Sequence, residues 1–236
     1  MIESPTRGLF IAGTDTEVGK TRVAARIAAA LHRQGRRVGV YKPVASGCVT
    51  IDGQRTSEDA RALWVAAGRP GDLAAVCPQM FAAPLAPPQA AREEGREVDA
   101  TLLRSGLAPW LKSSEIVLIE GVGGLMSPVS DDDYAADLAL DFGYPLVVVA
   151  PNVLGVINHT LQTLITAATF RDGLDVVGVV LNRVRPPSDE DPSVASNRVL
   201  LGQHCVPPIL AELGWEADDF DTDVDWFDLA RPSTSL

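Results

Sequence analysis

The sequence predicts an α/β fold, a doubly wound and mostly parallel sheet flanked by helices in three layers. Three observations lead there. A glycine-rich loop, residues 13–21 (GTDTEVGKT), joins an apolar run at 8–12 to a helical stretch beginning near Arg22. Three later segments, 116–120, 146–150 and 176–181, are near-continuous apolar runs, as strands buried on both faces must be. Helical stretches alternate with them, so the strands are joined by right-handed crossovers.

Each element follows in turn. Small and apolar residues from Val23 to Leu31 recur at helical spacing, and Gly35 sits where a C-terminal cap belongs. Residues 37–41 read as a second strand, followed by a loop over 42–47. Thr56 or Ser57 can cap a helix running to about Ala67 and closed by Gly68. The Pro-, Ala- and Gly-rich stretch 69–88 reads mostly as loop, with helical pieces at 89–94 and 100–111. Further helices are expected at 134–142, 156–170 and 192–204, the last with Pro192 in its first turn, and a final strand at 208–213. We expect one domain over 1–236 with an acidic tail from about 216.

Composition narrows the partners. The chain has 236 residues, 46% hydrophobic content and a formal charge of −11, with a mean hydropathy of +0.11. Seven acids and no base lie between Glu216 and Asp228, so the acidity is largely a property of the tail. Nothing offers the basic face that a nucleic acid needs. Cys48, Cys77 and Cys205 are odd in number and far apart, which suits reduced thiols better than a disulfide framework. No apolar run approaches the roughly 20 residues of a bilayer span, and the N-terminus lacks a signal-peptide pattern. A soluble, cytoplasmic protein is expected.

The glycine loop carries the first chemistry. A helix starting at Gly19 or Lys20 leaves its first N–H groups unpaired and its dipole positive toward the loop, so a polyphosphate can satisfy both. Lys20 would reach the β- and γ-phosphates and Thr21 the magnesium that bridges them. The spacing is one residue longer than the usual G-x-x-x-x-G-K-[ST], since five residues separate Gly13 from Gly19. With strand before and helix after, the expectation is the P-loop nucleotide hydrolase type of fold. Open sheets of this kind bind ligands beyond the carboxyl ends of their strands. Glu120 falls there, followed by Gly121, Gly123 and Gly124, where a hard cation finds a carboxylate. Lys42, fixed by Pro43, can present a point charge to an anion beside the γ-phosphate. Asp59 alone reads as an acid complementing a helix dipole.

Residues 13–21, the segment YKPVASG at 41–47, the EGVGG at 120–124 and the LGVINH at 154–159 together resemble the dethiobiotin synthetase family, whose own variant is the lengthened loop. The likeness runs from Leu9 to about Trp215. It implies an ATP- and Mg2+-dependent ligase in which 7,8-diaminononanoate captures CO2 as a carbamate, ATP phosphorylates that carbamate, and the second amine closes the cyclic urea. It also implies residue roles. Thr21, Asp59 and Glu120 would hold the metal, and Glu17, Val18, Gly19, Lys20, Thr21 and Arg22 would bind the phosphates. Lys42 and Lys20 would be catalytic, Ser46 would contact substrate, and Gly121, Val122 and Gly123 would line the nucleotide. Gly155, Val156 and Asn158 resemble a carboxylate-binding turn that reaches across a homodimer. Asn182 matches an adenine-reading asparagine, with Arg183, Gly214, Trp215 and Asp221 further along the nucleotide.

Two departures stand out. The family often reads Gly-Glu-Ile-Pro after the last strand, whereas this chain has Ala211-Glu-Leu-Gly214, and the tail has no clear counterpart. Its acids read as a solvated face, as do Asp131, Asp132 and Asp133 in a loop after Pro128. His32, His159 and His204 lack metal-ligand spacing. Other classes of the same fold need features that this sequence does not show. An amide synthase of the same fold needs a glutaminase domain, and a partitioning ATPase carries a further lysine early in the loop, where Thr14 to Thr16 offer none. A relative using a different diamine stays open.

Overall fold

The computed structural model describes residues 6–51, 53–187 and 191–233. The chain runs β1 (Arg7–Gly13), α1 (Lys20–Arg33), β2 (Val38–Tyr41), β3 (Val49–Ile51), β4 (Gln54–Thr56), α2 (Glu58–Ala66), α3 (Leu73–Val76), α4 (Pro87–Glu93), α5 (Ala100–Ser105) and α6 (Ala108–Ser113). Then follow β5 (Ile116–Gly124), α7 (Ala135–Phe142), β6 (Leu146–Pro151), α8 (Val156–Thr169), β7 (Val176–Asn182), α9 (Val194–His204), β8 (Ile209–Leu213), α10 (Trp226–Leu229) and β9 (Arg231–Pro232).

The main sheet has the order β2-β5-β1-β6-β7-β8, parallel throughout this path. Its strands are buried because both faces carry helices: Leu9, Ile11, Val40, Ile116, Ile119, Val147 and Val149 are all fully covered. Each such side chain removed from water contributes about 1.5–3 kcal/mol. The core side of α1 is Val23, Ala24, Ile27, Ala28 and Leu31, an i, i+3, i+4 stripe. Because β1 sits mid-sheet with β5 on one side and β6 on the other, its carboxyl end opens at the point where the winding reverses. There the β1–β5 register slips between Ile11, opposite Glu120, and Gly13, opposite Gly124, which parts the strand ends.

Several elements differ from the sequence expectation. The segment after Gly47, to which the sequence assigns no element, folds into a small antiparallel hairpin, β3 and β4. The stretch 69–88 contains α3, capped by the Asp72 side chain on Ala74 N. The helical piece at 100–111 divides at Gly106 into α5 and α6, since Pro109 suits a new first turn and not a helix interior. Strand β5 runs on to Gly124, four residues beyond Glu120. Helix α9 starts at Val194, its lead-in held by the Asp191 carboxylate on Ser193 N at 3.1 Å.

The acidic tail is also more than a solvated face. Its seven acids are exposed as expected, but Trp226 is 2% exposed and packs at a tilt against Phe220, and α10 packs on α1. Asp218 pairs with Arg26 at 2.8 Å and Asp219 with Arg33. Strand β9 then joins β1 antiparallel at Arg7 and Gly8, ahead of the point where β6 begins pairing at Phe10. Asp133 likewise is drawn into the fold by Ser130 and Arg104, at 2.7 and 2.8 Å. Among the described residues no helix is long and apolar enough to cross a membrane.

Candidate active site

The loop between β1 and α1 is shaped for an anion. Glu17 and Gly19, at φ 60° and 87°, are left-handed on either side of Val18, the alternation that turns successive N–H groups into a concavity. A non-glycine residue in that region stores about 1–3 kcal/mol of strain, the mark of a functional loop. Gly19 cannot be replaced: besides its φ, a Cβ there would lie 2.0 Å from Asn182 Nδ2. It caps α1 without a side-chain bond, so the first N–H groups of the helix face the loop. Lys20 folds back over this loop, donating from Nζ to Asp15 O at 2.9 Å. Burial lowers its pKa to about 8, against the opposing pull of Glu120.

Beside the loop, four side chains from three elements and the β2 loop converge. Thr21 Oγ1 donates to Glu120 Oε1 at 2.8 Å. Lys42 Nζ reaches the same Oε1 at 2.5 Å and Asp59 Oδ2 at 2.9 Å. Lys42 and Glu120 are 5% and 2% exposed. Burial alone would lower the Lys42 pKa, but Glu120 and Asp59 outweigh it and hold it above the ordinary lysine value. The same contact overrides the effect of burial on Asp59 and keeps its carboxyl below the usual range. Asp59, in the first turn of α2 behind the Ser57 cap, thus faces the site and does not merely complement a helix dipole.

This arrangement fits magnesium. The donors are one hydroxyl and two carboxylates, all hard oxygens, and Glu120 Oε2 is buried without a hydrogen-bond partner. Such an atom is costly unless a cation meets it. Among the described residues no three His, Cys, Asp or Glu side chains form a metal cluster, and Mg2+ asks for none, since it is commonly held by one or two carboxylates with phosphates and water.

The crevice around these groups has a volume of about 710 Å³ and takes in Glu17, Gly19 to Arg22, Lys42, Ser46, Asp59 and Glu120 to Gly123. Its far wall is Pro84 to Pro87 with Val44 and Ala45, and Ser127 and Pro128 close one end. Sequence reasoning missed that wall. Its stretch was read as loop, yet Ala45 N donates to Gln79 O and Phe81 N to Ala45 O, both at 2.9 Å, so 45–48 and 79–83 zip together. The run of prolines at 84–88 was the available signal, because proline stiffens a wall at little entropic cost. Gly123, at φ 58°, lets the end of β5 turn tightly against Ser127, whose Oγ would lie 2.1 Å from a Cβ there.

Other expected residues lie apart from this crevice. Gly155 caps α8, with Val156 buried and Asn158 exposed, beside Leu154 at 81% exposure. Asn182 is 1% exposed, and its amide is engaged within the protein: Nδ2 donates to Val18 O at 2.9 Å and Oδ1 accepts from Arg22 at 2.8 Å. It therefore braces the phosphate loop, with one N–H of Nδ2 and one lone pair of Oδ1 engaged within the protein. Arg183 pairs with Glu212 at 2.6 Å and borders a second cleft with Asn152 and Leu154. Gly214 offers its carbonyl to Arg22, Trp215 is 39% exposed, and Asp221 pairs with Arg198 and accepts from Glu212 N at 2.7 Å.

A glycine loop between strand and helix, with lysine, hydroxyl and carboxylate converging at the carboxyl ends of a parallel sheet, defines a P-loop nucleotide-binding α/β protein. Known proteins narrow that class. The model of a family described as an AAA domain matches residues 7–219. The ATP-dependent dethiobiotin synthetase BioD of Rhodopirellula baltica is 46% identical over 86% of this chain and 82% of its own. That of Anaeromyxobacter dehalogenans (strain 2CP-C) is 42% identical over 90% and 92%. The chain belongs to the dethiobiotin synthetase family. Among solved structures, a ParA family ATPase from Chlorobium tepidum TLS superposes with a TM-score of 0.54 at 14% identity, over 90% of this chain and 85% of that one. The signal recognition particle receptor FtsY from Elizabethkingia anophelis, in complex with GDP, gives 0.54 at 15%, over 95% of this chain and 62% of the receptor. At that identity the likeness is one of fold.

Proposed function

We propose that the chain is an ATP-dependent dethiobiotin synthetase, a ligase that joins 7,8-diaminononanoate and CO2 into the cyclic urea dethiobiotin with release of ADP and phosphate. Beside the family membership, the observation that supports this most is the meeting of Lys20, Thr21, Lys42, Asp59 and Glu120 at one end of a single crevice. Among the described residues no histidine or cysteine lines it. That suits a reaction in which an anion attacks an anion, where charge compensation and positioning matter more than a protein nucleophile.

In this reading the loop from Glu17 to Arg22 takes the phosphates, and Lys20 lies along the β- and γ-oxygens. Thr21, Asp59 and Glu120 would hold Mg2+, which when bound neutralises charge on those oxygens. Ser46 and the apolar wall orient the diamine. One amine adds to CO2 to give a carbamate, and a carbamate oxygen attacks the γ-phosphorus while ADP leaves. The second amine then attacks the carbonyl carbon of the resulting carbamic-phosphoric anhydride, expelling phosphate and losing its proton. Lys42 Nζ, poised between Asp59 and Glu120, is the cation that lies against the carbamate and the transferring phosphoryl group. Lys42 and Lys20 are thus the catalytic pair. Gly121 to Gly123 flank the nucleotide, with Arg183, Gly214, Trp215 and Asp221 on its nucleoside side.

The assembly we propose is a cytoplasmic homodimer in which the α8 turn, Gly155, Val156 and Asn158, binds the carboxylate of substrate held by the partner. The separation of that turn from its own crevice is consistent with this. Sedimentation at assay concentration tests it, since a monomer at full activity removes the cross-subunit role. The reaction itself is tested by incubating the protein with MgATP, bicarbonate and 7,8-diaminononanoate. Dethiobiotin appearing by mass in step with ADP is the expected result, and ADP release indifferent to the diamine would overturn the reading.

A further inference from the structure

A phosphate loop uses its last residue through the backbone N–H, so nothing in that role requires a guanidinium at Arg22. Its side chain nevertheless makes four hydrogen bonds. Nη1 donates to Asn182 Oδ1 at 2.8 Å and to Arg183 O at 3.3 Å, and Nη2 donates to Gly214 O and, at 3.2 Å, to Ala217 O. All four acceptors are carbonyl oxygens. Two come from the end of β7 and two from the turn after β8, while Asn182 itself donates back to Val18 O in the loop. Phosphate loop, strand end and turn are therefore closed into one ring of hydrogen bonds around a single planar fork.

The position of that ring matters. On one side of the loop lie Lys42, Asp59, Glu120 and the proline wall. On the other, beyond Gly19, the carboxyl ends of β7 and β8 are the wall left for the rest of a nucleotide whose phosphates occupy the loop. The segments forming it, 182–183 and 214–217, leave the sheet side by side, with Asn182 opposite Leu213 and Arg183 N donating to Leu213 O at 2.9 Å. Past Leu213 the turn leaves the sheet: Asp221 at its far end is tied back to Glu212 and Asp218 to Arg26, while Arg22 fixes its first residues, Gly214 to Ala217, against the end of β7.

We propose that Arg22 is a positioning residue for the nucleoside half of the bound nucleotide: its guanidinium fixes 182–183 and 214–217 against the phosphate loop, so that base and ribose meet a preformed wall. This rests on the nucleotide reading of the site but not on the identity of the diamine. Lysine is a poor substitute, because a compact ammonium cannot reach acceptors spread across a planar fork.

The test is calorimetric titration of the full chain, wild type, Arg22→Met and Arg22→Lys, with MgADP and with magnesium tripolyphosphate. Loss of two or more charge-assisted contacts is expected to weaken ADP binding by about tenfold or more in Arg22→Met and by less in Arg22→Lys. Tripolyphosphate, which has no nucleoside, is expected to bind all three proteins within twofold. Equal losses for both ligands would mean that Arg22 serves the phosphates or that the loop has collapsed, and would overturn the proposal, as would unchanged ADP affinity. If Arg22→Met does not fold, the same split in Arg22→Lys decides. A wild type that binds neither ligand would sink this proposal and the nucleotide reading together. One that shows the split and yet makes no dethiobiotin would sink only the reaction.

Discussion

Replacing Lys42 by methionine removes the cation at the centre of the site while keeping most of its stem volume, so packing loss is small. The electrostatic loss is not. Glu120, 2% exposed, loses the ammonium at 2.5 Å and regains little hydration in exchange. Removing one partner of a buried pair costs about 3–5 kcal/mol. The Asp59 contact adds little, because that side chain is 48% exposed and such pairs are worth about 1 kcal/mol or less. Against a typical total of about 5–15 kcal/mol, the variant is folded but visibly weakened. Glu120→Gln alone leaves Lys42 buried with only Asp59 beside it and is also destabilising. In the double variant neither charge is stranded, so its loss should fall short of the sum by about 2 kcal/mol or more. Urea unfolding of the four proteins in buffer without nucleotide or divalent cation measures this. For turnover at saturating diamine and ATP, the expected drop in Lys42→Met is about 10²–10³-fold. Strict additivity, with coupling under about 0.5 kcal/mol, would refute the view that these two charges depend on each other. Unchanged turnover would refute the catalytic role.

Four further outcomes follow from particular contacts. Gly19→Ala places a Cβ 2.0 Å from Asn182 Nδ2 at a φ of 87°, so nucleotide binding should fall by at least about a hundredfold and the melting temperature should drop with it; near-normal ADP affinity in a titration would contradict the loop geometry. Lys20, lowered to about 8 by burial, is protonated below that pH and loses its charge above it in the free protein. Accordingly kcat/KM for ATP should decline above about pH 8, while kcat, reporting the complex in which phosphates hold the proton on, stays level to higher pH; a kcat limb at the same pH would argue against that assignment. The same depression makes the charged lysine a liability to the nucleotide-free fold, so stability gains from this group as pH rises from about 8 toward 10.5. Trp226→Ala should cost about 3–5 kcal/mol by emptying a site 2% exposed, and a variant of unaltered stability would mean that the tail does not dock.

Much of this was legible in the sequence because it is local. The central strands announce themselves as unbroken apolar runs, and the phosphate loop as glycine and lysine between strand and helix. The errors arose where local pattern and tertiary contact disagree. Val49, Thr50 and Ile51 are exposed on β3, so no buried alternation marks the hairpin, and Gly53 is its one local signal. In the tail, a count of acids hid the apolar set Val224, Trp226, Phe227 and Leu229, which the Asp225 cap organises into α10 against α1. Spacing could not make Asp59 a partner of Lys42, because that contact joins a helix start to a strand end by way of an intervening hairpin. Nor could it show that the Asn182 amide is engaged by Val18 and Arg22, since 160 residues separate it from Arg22.

The central claim is that ATP is consumed by a carbamate made from the diamine. Isotope transfer tests it most directly. With 18O-labelled bicarbonate, MgATP and 7,8-diaminononanoate, attack by a carbamate oxygen on the γ-phosphorus carries one labelled oxygen into each phosphate released, and mass spectrometry of the phosphate should find it only when the diamine is present. Phosphate carrying no label, with ADP formed at the same rate, would mean that water is the acceptor and would contradict the account.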